Sequence, residues 1–230
     1  GTGDQPHLQL MGTYNLNSQQ SLIGFWTNLY RGVYRSNIVV NRTPGIEGMS
    51  EEKKTRIISE ARFLRAFYYH ILWKFWGSIP YYTVNPNGAE VGYIVPQLTE
   101  DEVYEKIMED LDAATAPGAL PKAVAMTEVG RANRYAAYML RADVVMLKGD
   151  ESRYASVLEQ LRETINSGIY DLTPKFEDIW TDKGEWNCES IFEINYSDDP
   201  SNRTWEDPLA PGGTVFPVFL GPDSYKGKRF

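Results

Sequence analysis

The chain has 230 residues, a net charge of −8 and a single cysteine, Cys188. That length holds one large domain or two small ones, and the acidic balance without a basic cluster argues against a nucleic-acid or anionic-membrane partner. One Cys allows neither an intrachain disulfide nor a cysteine-rich metal site, and no apolar run reaches the roughly 18 residues of a membrane span.

The chain opens on Gly1-Thr2-Gly3-Asp4 with no signal peptide, and it is read as a processed or trimmed piece. Residues 1–17 are polar and turn-rich. From Ser18 to Asn41 the spacing of Leu22, Phe25 or Trp26, Leu29, Val33 and Val40 predicts an amphipathic helix, with Ser18 as its N-cap. Arg42-Thr43-Pro44-Gly45 ends it. The central helix follows, over about 50–76. Ile57, Ala61, Leu64, Tyr68, Leu72 and Phe75 mark one apolar face, and Phe63, Phe67 and Ile71 a second. A helix apolar on two faces must be covered on both. Glu52 and Arg56 are placed to pair at i,i+4. Gly77 supplies the C-terminal stop, Pro80 prevents resumption, and Tyr81 to Val84 leaves extended.

Thr99-Glu100-Asp101-Glu102 reads as a capping box opening a helix that carries Val103, Ile107 and Leu111 and ends before Pro117-Gly118. Residues 133–167 read as one unit: a helix from Arg134 to Lys148, a turn at Gly149-Asp150, and a helix from Ser152 to Asn166. A helix, turn and helix in about 34 residues has the length of a tetratricopeptide unit. Ala132, Ala136, Ala137, Ala142 and Ala155 allow close helix approach. Beyond residue 169 the pattern changes. Tyr170-Asp171-Leu172 and Ile191 to Tyr196 are strand-like, a Trp-bearing loop lies between them, and the chain after Asp198 is rich in Pro, Gly and Asp. The fold class is therefore all-α in the main: a tetratricopeptide-like scaffold over 18–168 and a loop-rich extension with a few short strands over 169–230, in one domain.

Catalysis is poorly supplied. Glycosidases need two carboxylates across a sugar, and the densest acidic group, Glu100 to Glu102, is explained by capping. His7 and His70 are the only histidines, so neither a Ser-His-Asp arrangement nor a His-rich metal site is indicated, and His70 reads as a packed or hydrogen-bonded residue. Asp198-Asp199 reads as a solvated turn rather than a calcium site. No catalytic residue, metal or cofactor is expected. The aromatic content of 13% is high, with fifteen Tyr and six Trp. Sugars present flat C–H faces and many hydroxyls, so their binders combine exposed Trp or Tyr with Asn, Asp and Arg. The N-terminal part holds that mixture, and its candidate ligand-binding residues are Asp4, Tyr14, Trp26, Asn28 and Arg31. Trp26 also fits a plain core stripe. Trp73 and Trp76 read as core, while Trp180, Trp186 and Trp205 in loops fit either role.

The stretch Glu60-Ala61-Arg62-Phe63-Leu64-Arg65-Ala66-Phe67-Tyr68-Tyr69, closing in Phe75-Trp76-Gly77-Ser78-Ile79-Pro80, resembles the signature of the SusD/RagB family. The order continues through Phe25 to Asn37 before it, then Leu98 to Leu111, Gly130 to Leu147, Ser167 to Leu172 and Glu189 to Ile194 after it, covering about residues 25–196. The resemblance implies a helical scaffold of tetratricopeptide-like pairs that binds oligosaccharide without cleaving it. It also implies an outer-membrane, cell-surface location and a partner, a SusC-like TonB-dependent transporter. Members are lipid-anchored through an N-terminal Cys and are about twice this length, so the anchor and most of a C-terminal half are expected to lie outside this chain. By resemblance, a family acidic residue and a Trp fall near Asp4 and Trp26. The rival expectations are a helical-repeat scaffold for a protein partner and a glycoside hydrolase.

Overall fold

The computed structural model describes residues 6–17, 22–86, 95–181 and 184–194. The chain divides into two units, 1–193 and 194–230. Only Ile194 of the second is described.

Among the described residues six helices carry the first unit: α1 (Pro6–Gly12), α2 (Ile23–Arg42), α3 (Glu51–Trp76), α4 (Glu100–Thr115), α5 (Arg134–Lys148) and α6 (Tyr154–Ile165). A two-residue hairpin, β1 (Ile79–Pro80) with β2 (Gln97–Leu98), lies between α3 and α4, pairing Ile79 with Leu98 and Pro80 with Gln97. From α2 to α6 successive helices pack on one another, and α3 lies against both α2 and α4 and touches α5 over a short length. The mainly helical class expected from sequence is the class observed. The short α1 is an addition: composition marks this stretch as turn-rich, yet it closes one helical segment before Thr13 and Asn15 donate back to Gln9 and Leu10.

Helix ends follow local chemistry. The Ser50 hydroxyl accepts from the Lys53 amide at the start of α3. Its end is fixed at Gly77, whose φ of 66° suits glycine and whose missing Cβ would sit 2.6 Å from a Glu100 carboxylate oxygen. The capping box of α4 is complete: Thr99 Oγ1 accepts from the Glu102 amide, and the Glu102 carboxylate accepts from the Thr99 amide at 2.8 Å. Asn133 caps α5, and Gly149 ends it in the left-handed region. The start of α2 differs from expectation. Leu22 occupies the N-cap without a side-chain bond, and Ser18 lies outside the described residues. The first turn expected of α6 is instead a 3-10 turn, Glu151–Arg153.

The core joins Leu29 and Val33 of α2, Phe63, Ala66, Tyr69 and Leu72 of α3, and Val103, Ile107 and Leu111 of α4. Ala137 and Val144 of α5 and Val157 of α6 complete it. Ala132, Ala136, Ala137 and Ala142 are buried as expected, whereas Ala155 faces outward. Of the expected faces of α3, Ala61, Phe63 and Leu72 are buried, Leu64, Phe67, Tyr68 and Ile71 pack partly buried against the core, and Trp73 is buried as expected, whereas Phe75 is 49% exposed. Arg65 and Tyr69, outside the expected faces, are buried as well. Arg56 bonds Glu60 and Glu128 rather than Glu52.

Arg65 is only 3% exposed. Its Nε and Nη2 donate to the two Asp110 oxygens, each at 2.7 Å, and Nη1 donates to Asn37 Oδ1 at 2.8 Å. Asn37 Nδ2 donates to the Tyr82 carbonyl and to Asn85 Oδ1. The Tyr69 hydroxyl both donates to that carbonyl and accepts from the Tyr82 amide. Burial, reinforced by neighbouring tyrosines, keeps the Tyr69 phenol protonated far above its ordinary range. These bonds consume the backbone groups that a strand over 81–84 would need, and the hairpin stops at Pro80. The strand-like runs at 170–172 and 191–194 form no ladder among the described residues. One backbone bond, Asp171 to Cys188, and the Asn133 bond to the Ile191 carbonyl hold them instead. Residues 195 and 196 lie outside the described residues.

A second polar contact ties α3 to α5. His70, 2% exposed, places Nε2 2.7 Å from Asp143 Oδ2, and Lys74 donates to the same oxygen at 3.0 Å. With a carboxylate as partner, Nε2 carries the proton in the neutral ring. Nδ1 is buried with no hydrogen-bond partner among the described residues. Burial, opposed by Asp143, holds the His70 pKa below its ordinary value.

Replacing Asp110 by Ala strands a buried guanidinium and is expected to cost about 3–5 kcal/mol in urea unfolding. The double variant Arg65→Met with Asp110→Leu recovers much of that loss, because it removes both charges. An Asp110→Ala cost near zero contradicts the network. For His70, the folded pKa lies below the unfolded value of about 6.5, so the unfolded chain takes up a proton first as pH falls. The wild-type protein therefore loses stability from about pH 7 downward through this group, and His70→Gln does not. The difference in unfolding free energy between the two proteins is expected to be largest above about pH 7 and to shrink toward pH 5. A difference constant with pH contradicts the assignment.

Candidate functional site

Two surfaces compete for a functional role, one singled out by sequence and one that only the fold assembles. Of the sequence candidates, Asp4 lies outside the described residues. Tyr14 stands 96% exposed in the turn after α1, with φ of 58°, a conformation rare for a non-glycine residue. Asn28 and Arg31 are both exposed on α2, three residues apart and hence on one face. Trp26 points elsewhere, since two residues on a helix turn about 200°. Its half-buried ring centre lies 4.7 Å from that of Tyr30 and 4.9 Å from that of Trp76, the latter edge-on. The fold thus brings Asn28 and Arg31 together, sets Trp26 against α3, and leaves Tyr14 on its own turn.

The second surface is a cleft of about 580 Å³ between α3 and α5, lined as well by Ile179, Gly184, Asn187 and residues 189–193. Such a volume falls in the roughly 300–1,000 Å³ range of small-ligand sites. Phe63 and Phe67 of α3 and Met139 and Leu140 of α5 form its apolar walls. Phe63 meets Phe192 edge to face at 5.3 Å, which seats the closing loop on α3. The loop is braced by its own polar groups. Glu193 accepts from the Trp186 amide and the Ser190 hydroxyl, and Asn187 Oδ1 accepts from the Glu189 amide. Trp186 has φ of 53°, so the Glu193 bond helps hold a strained residue. Glu189 accepts from the hydroxyl and amide of Thr173, and these bonds lower its pKa. Gly184 is required for close approach, because a Cβ there would fall 2.4 Å from the Asp178 carbonyl.

Asp143, Asn187, Glu189, Ser190 and Glu193 line this cleft beside its apolar walls, and the residues lining it include no Lys or Arg among those described. Of the 3-10 turn Phe176–Trp180, Ile179 lines the cleft; the same turn carries two exposed rings, Phe176 at 70% and Trp180 at 77%, 6.1 Å apart. Sequence reasoning located Trp180 in a loop and His70 as a hydrogen-bonded residue. It missed Phe67, Met139 and Asp143 as neighbours of 187–193, because these positions are far apart in the chain and no spacing links them.

Comparison with known proteins places this architecture. Residues 7–146 match the model of a SusD-like family described as starch-binding and associating with the outer membrane. A SusD-like protein, P25, of Formosa agariphila is 27% identical over 229 residues, covering 96% of this chain and 42% of its own length. Surface glycan-binding protein A from Bacteroides fluxus is 37% identical with a TM-score of 0.87, covering 96% of this chain and 46% of that one. Surface glycan-binding protein A from Bacteroides thetaiotaomicron, solved in complex with laminarihexaose, is 36% identical with a TM-score of 0.84 over 93% of this chain and 44% of that one. The chain spans less than half the length of each of these proteins. The helical pairs, the central helix with its Gly77 stop and the family match over more than half of the residues agree: this chain belongs to the SusD-like family.

Proposed function

We propose that the protein is a non-catalytic surface binder that captures oligosaccharides of the laminarin type and delivers them to a SusC-like TonB-dependent transporter at the extracellular face of the outer membrane. The observation that carries this reading is the laminarihexaose complex of a protein 36% identical over 93% of this chain. In this reading the chain belongs to one SusD-like domain, with a tetratricopeptide-like scaffold through residue 168 and a loop-rich extension after it. Contacts to the glycan come from the N-terminal surface, with Tyr14 as a stacking face and Asn28 and Arg31 as polar partners. Asp4 belongs to the same group by its place in the sequence. Trp26 acts there as a support, its ring set against Trp76.

Sugar hydroxyls exchange water for protein groups at a modest net gain, so each contact carries little energy. Loss of one hydrogen bond of about 1 kcal/mol weakens binding roughly fivefold. Calorimetric titration of the full-length protein with laminarihexaose is expected to give saturable binding. Asn28→Ala and Arg31→Ala should each weaken it by about that factor, while Trp26→Ala should lower thermal stability. No binding of laminarihexaose or of any other neutral glucan by the full-length protein refutes the reading. Binding that Asn28→Ala and Arg31→Ala leave unchanged moves the contact surface away from α2.

A further inference from the structure

We infer that the outward face of α2 is an anion-binding track for a uronate-bearing oligosaccharide, with Arg35 and Arg42 as its contacts to sugar carboxylates. The inference rests on the glycan-binding reading above and adds a charged subsite to that surface. Three observations carry it, and the first is alignment. Arg31, Arg35 and Arg42 form no cluster in the sequence, yet all are exposed on α2. At about 100° and 1.5 Å per residue they fall within about 40° of one line and span about 16 Å along it. Leu29, Val33, Ser36 and Asn37 are buried on the opposite side of the helix, so the row runs along the middle of its solvent face. Exposed Asn28 lies three residues before Arg31 and shares that face.

The second observation is missing counter-charge. The chain has a net charge of −8, yet α2 contains no Asp or Glu. Arg31, Arg35 and Arg42 make no ion pair or side-chain hydrogen bond among the described residues. By contrast Lys148 is paired with Asp101, Arg153 with Glu105, and Arg131 with Glu60. Arg31 and Arg35, four residues apart, repel each other, a small cost to the helix that a bound anion removes. The third observation selects the partner. Between Asn28 and Arg42 the large apolar residue exposed on α2 is Tyr34, at 48%. A protein interface needs an apolar core inside its charged rim, and this face supplies none. A linear polyanion needs only a row of charges. The guanidinium fork binds a carboxylate through two parallel hydrogen bonds. Tyr34, three residues from Arg31, offers a ring face to a pyranose.

The test titrates the full-length protein calorimetrically, at low ionic strength, with a galacturonic acid hexamer, with laminarihexaose and with single-stranded oligothymidylate. One double variant, Arg35→Ala with Arg42→Ala, removes the track and leaves Asn28 and Arg31 in place. A second, Lys53→Ala with Arg162→Ala, removes equal charge from exposed positions on α3 and α6. The wild-type protein is expected to bind the galacturonate hexamer, and the α2 variant to bind it about tenfold more weakly. The α2 variant is expected to keep its affinity for laminarihexaose and its melting temperature, and the α3–α6 variant to keep its affinity for the hexamer. Equal hexamer binding by wild type and the α2 variant overturns the track, as does an equal loss in the α3–α6 variant, which would report net charge alone. Oligothymidylate binding as tight as that of the hexamer overturns the assignment to a sugar. Laminarihexaose binding without hexamer binding overturns the track and leaves the reading above intact. Hexamer binding without laminarihexaose binding supports the track and overturns the laminarin assignment.

Discussion

The guanidinium of Arg65 is the constraint on which the helical layer depends. A charge removed from water is tolerated only when its donors are met, and a half-met network is worse than an apolar one. Here Asp110 of α4 and Asn37 of α2 take three of the donors. Both partners must therefore lie at fixed positions on either side of α3. Asn37 and Tyr69 in turn bind the Tyr82 backbone, so the exit of α3 is set by the same group of bonds. Apolar packing alone would let three helices slide along their ridges. The buried polar group specifies one register, as a single polar core residue does in a coiled coil.

With two sides of α3 committed, the third meets α5. That contact is short and partly polar, formed by His70, Lys74 and Asp143. Toward the N-terminal end of α3 the two helices are lined by Phe63, Phe67 and Met139, and the space between them is bordered by Ile179, Gly184, Asn187 and residues 189–193. The cleft thus follows from the way α3 is held. A helix already used on two sides has no freedom to rotate its remaining apolar residues into a tighter contact.

How much of this was legible in the sequence divides along a physical line. Features set within a few residues were readable: the Thr99–Glu102 capping box, the stops at Gly77 and Gly149, and the bounds of α5. Features that require partners far away were not. Arg65 reads as a surface charge until Asp110, 45 residues later, is known to face it. Periodicity also assigned Phe75 to the core, yet it is 49% exposed, while Ala61 and Leu72 of the same expected face are buried. The runs at 170–172 and 191–194 have strand composition but no neighbouring strand among the described residues, so propensity had nothing to pair with. The family resemblance was readable because its motif concentrates in α3, where Glu60, Arg65 and Gly77 each answer a structural need: Glu60 pairs with Arg131, Arg65 with Asp110, and Gly77 makes room for Glu100.

Those needs also separate the motif from the ligand. Every residue of the signature given a partner here serves packing, capping or an ion pair inside the scaffold, and none of them needs a sugar to explain it. Membership in the family is thus carried by groups that build the support, while Tyr14, Phe176 and Trp180 stand exposed on turns and loops, where binding residues are commonly found. A scaffold fixed by buried bonds can present such groups without reordering when ligand arrives, so little of the interaction energy is consumed by conformational cost. Exposed stacking and single hydrogen bonds yield weak, rapidly reversible contacts, which suits the handover to a transporter proposed above.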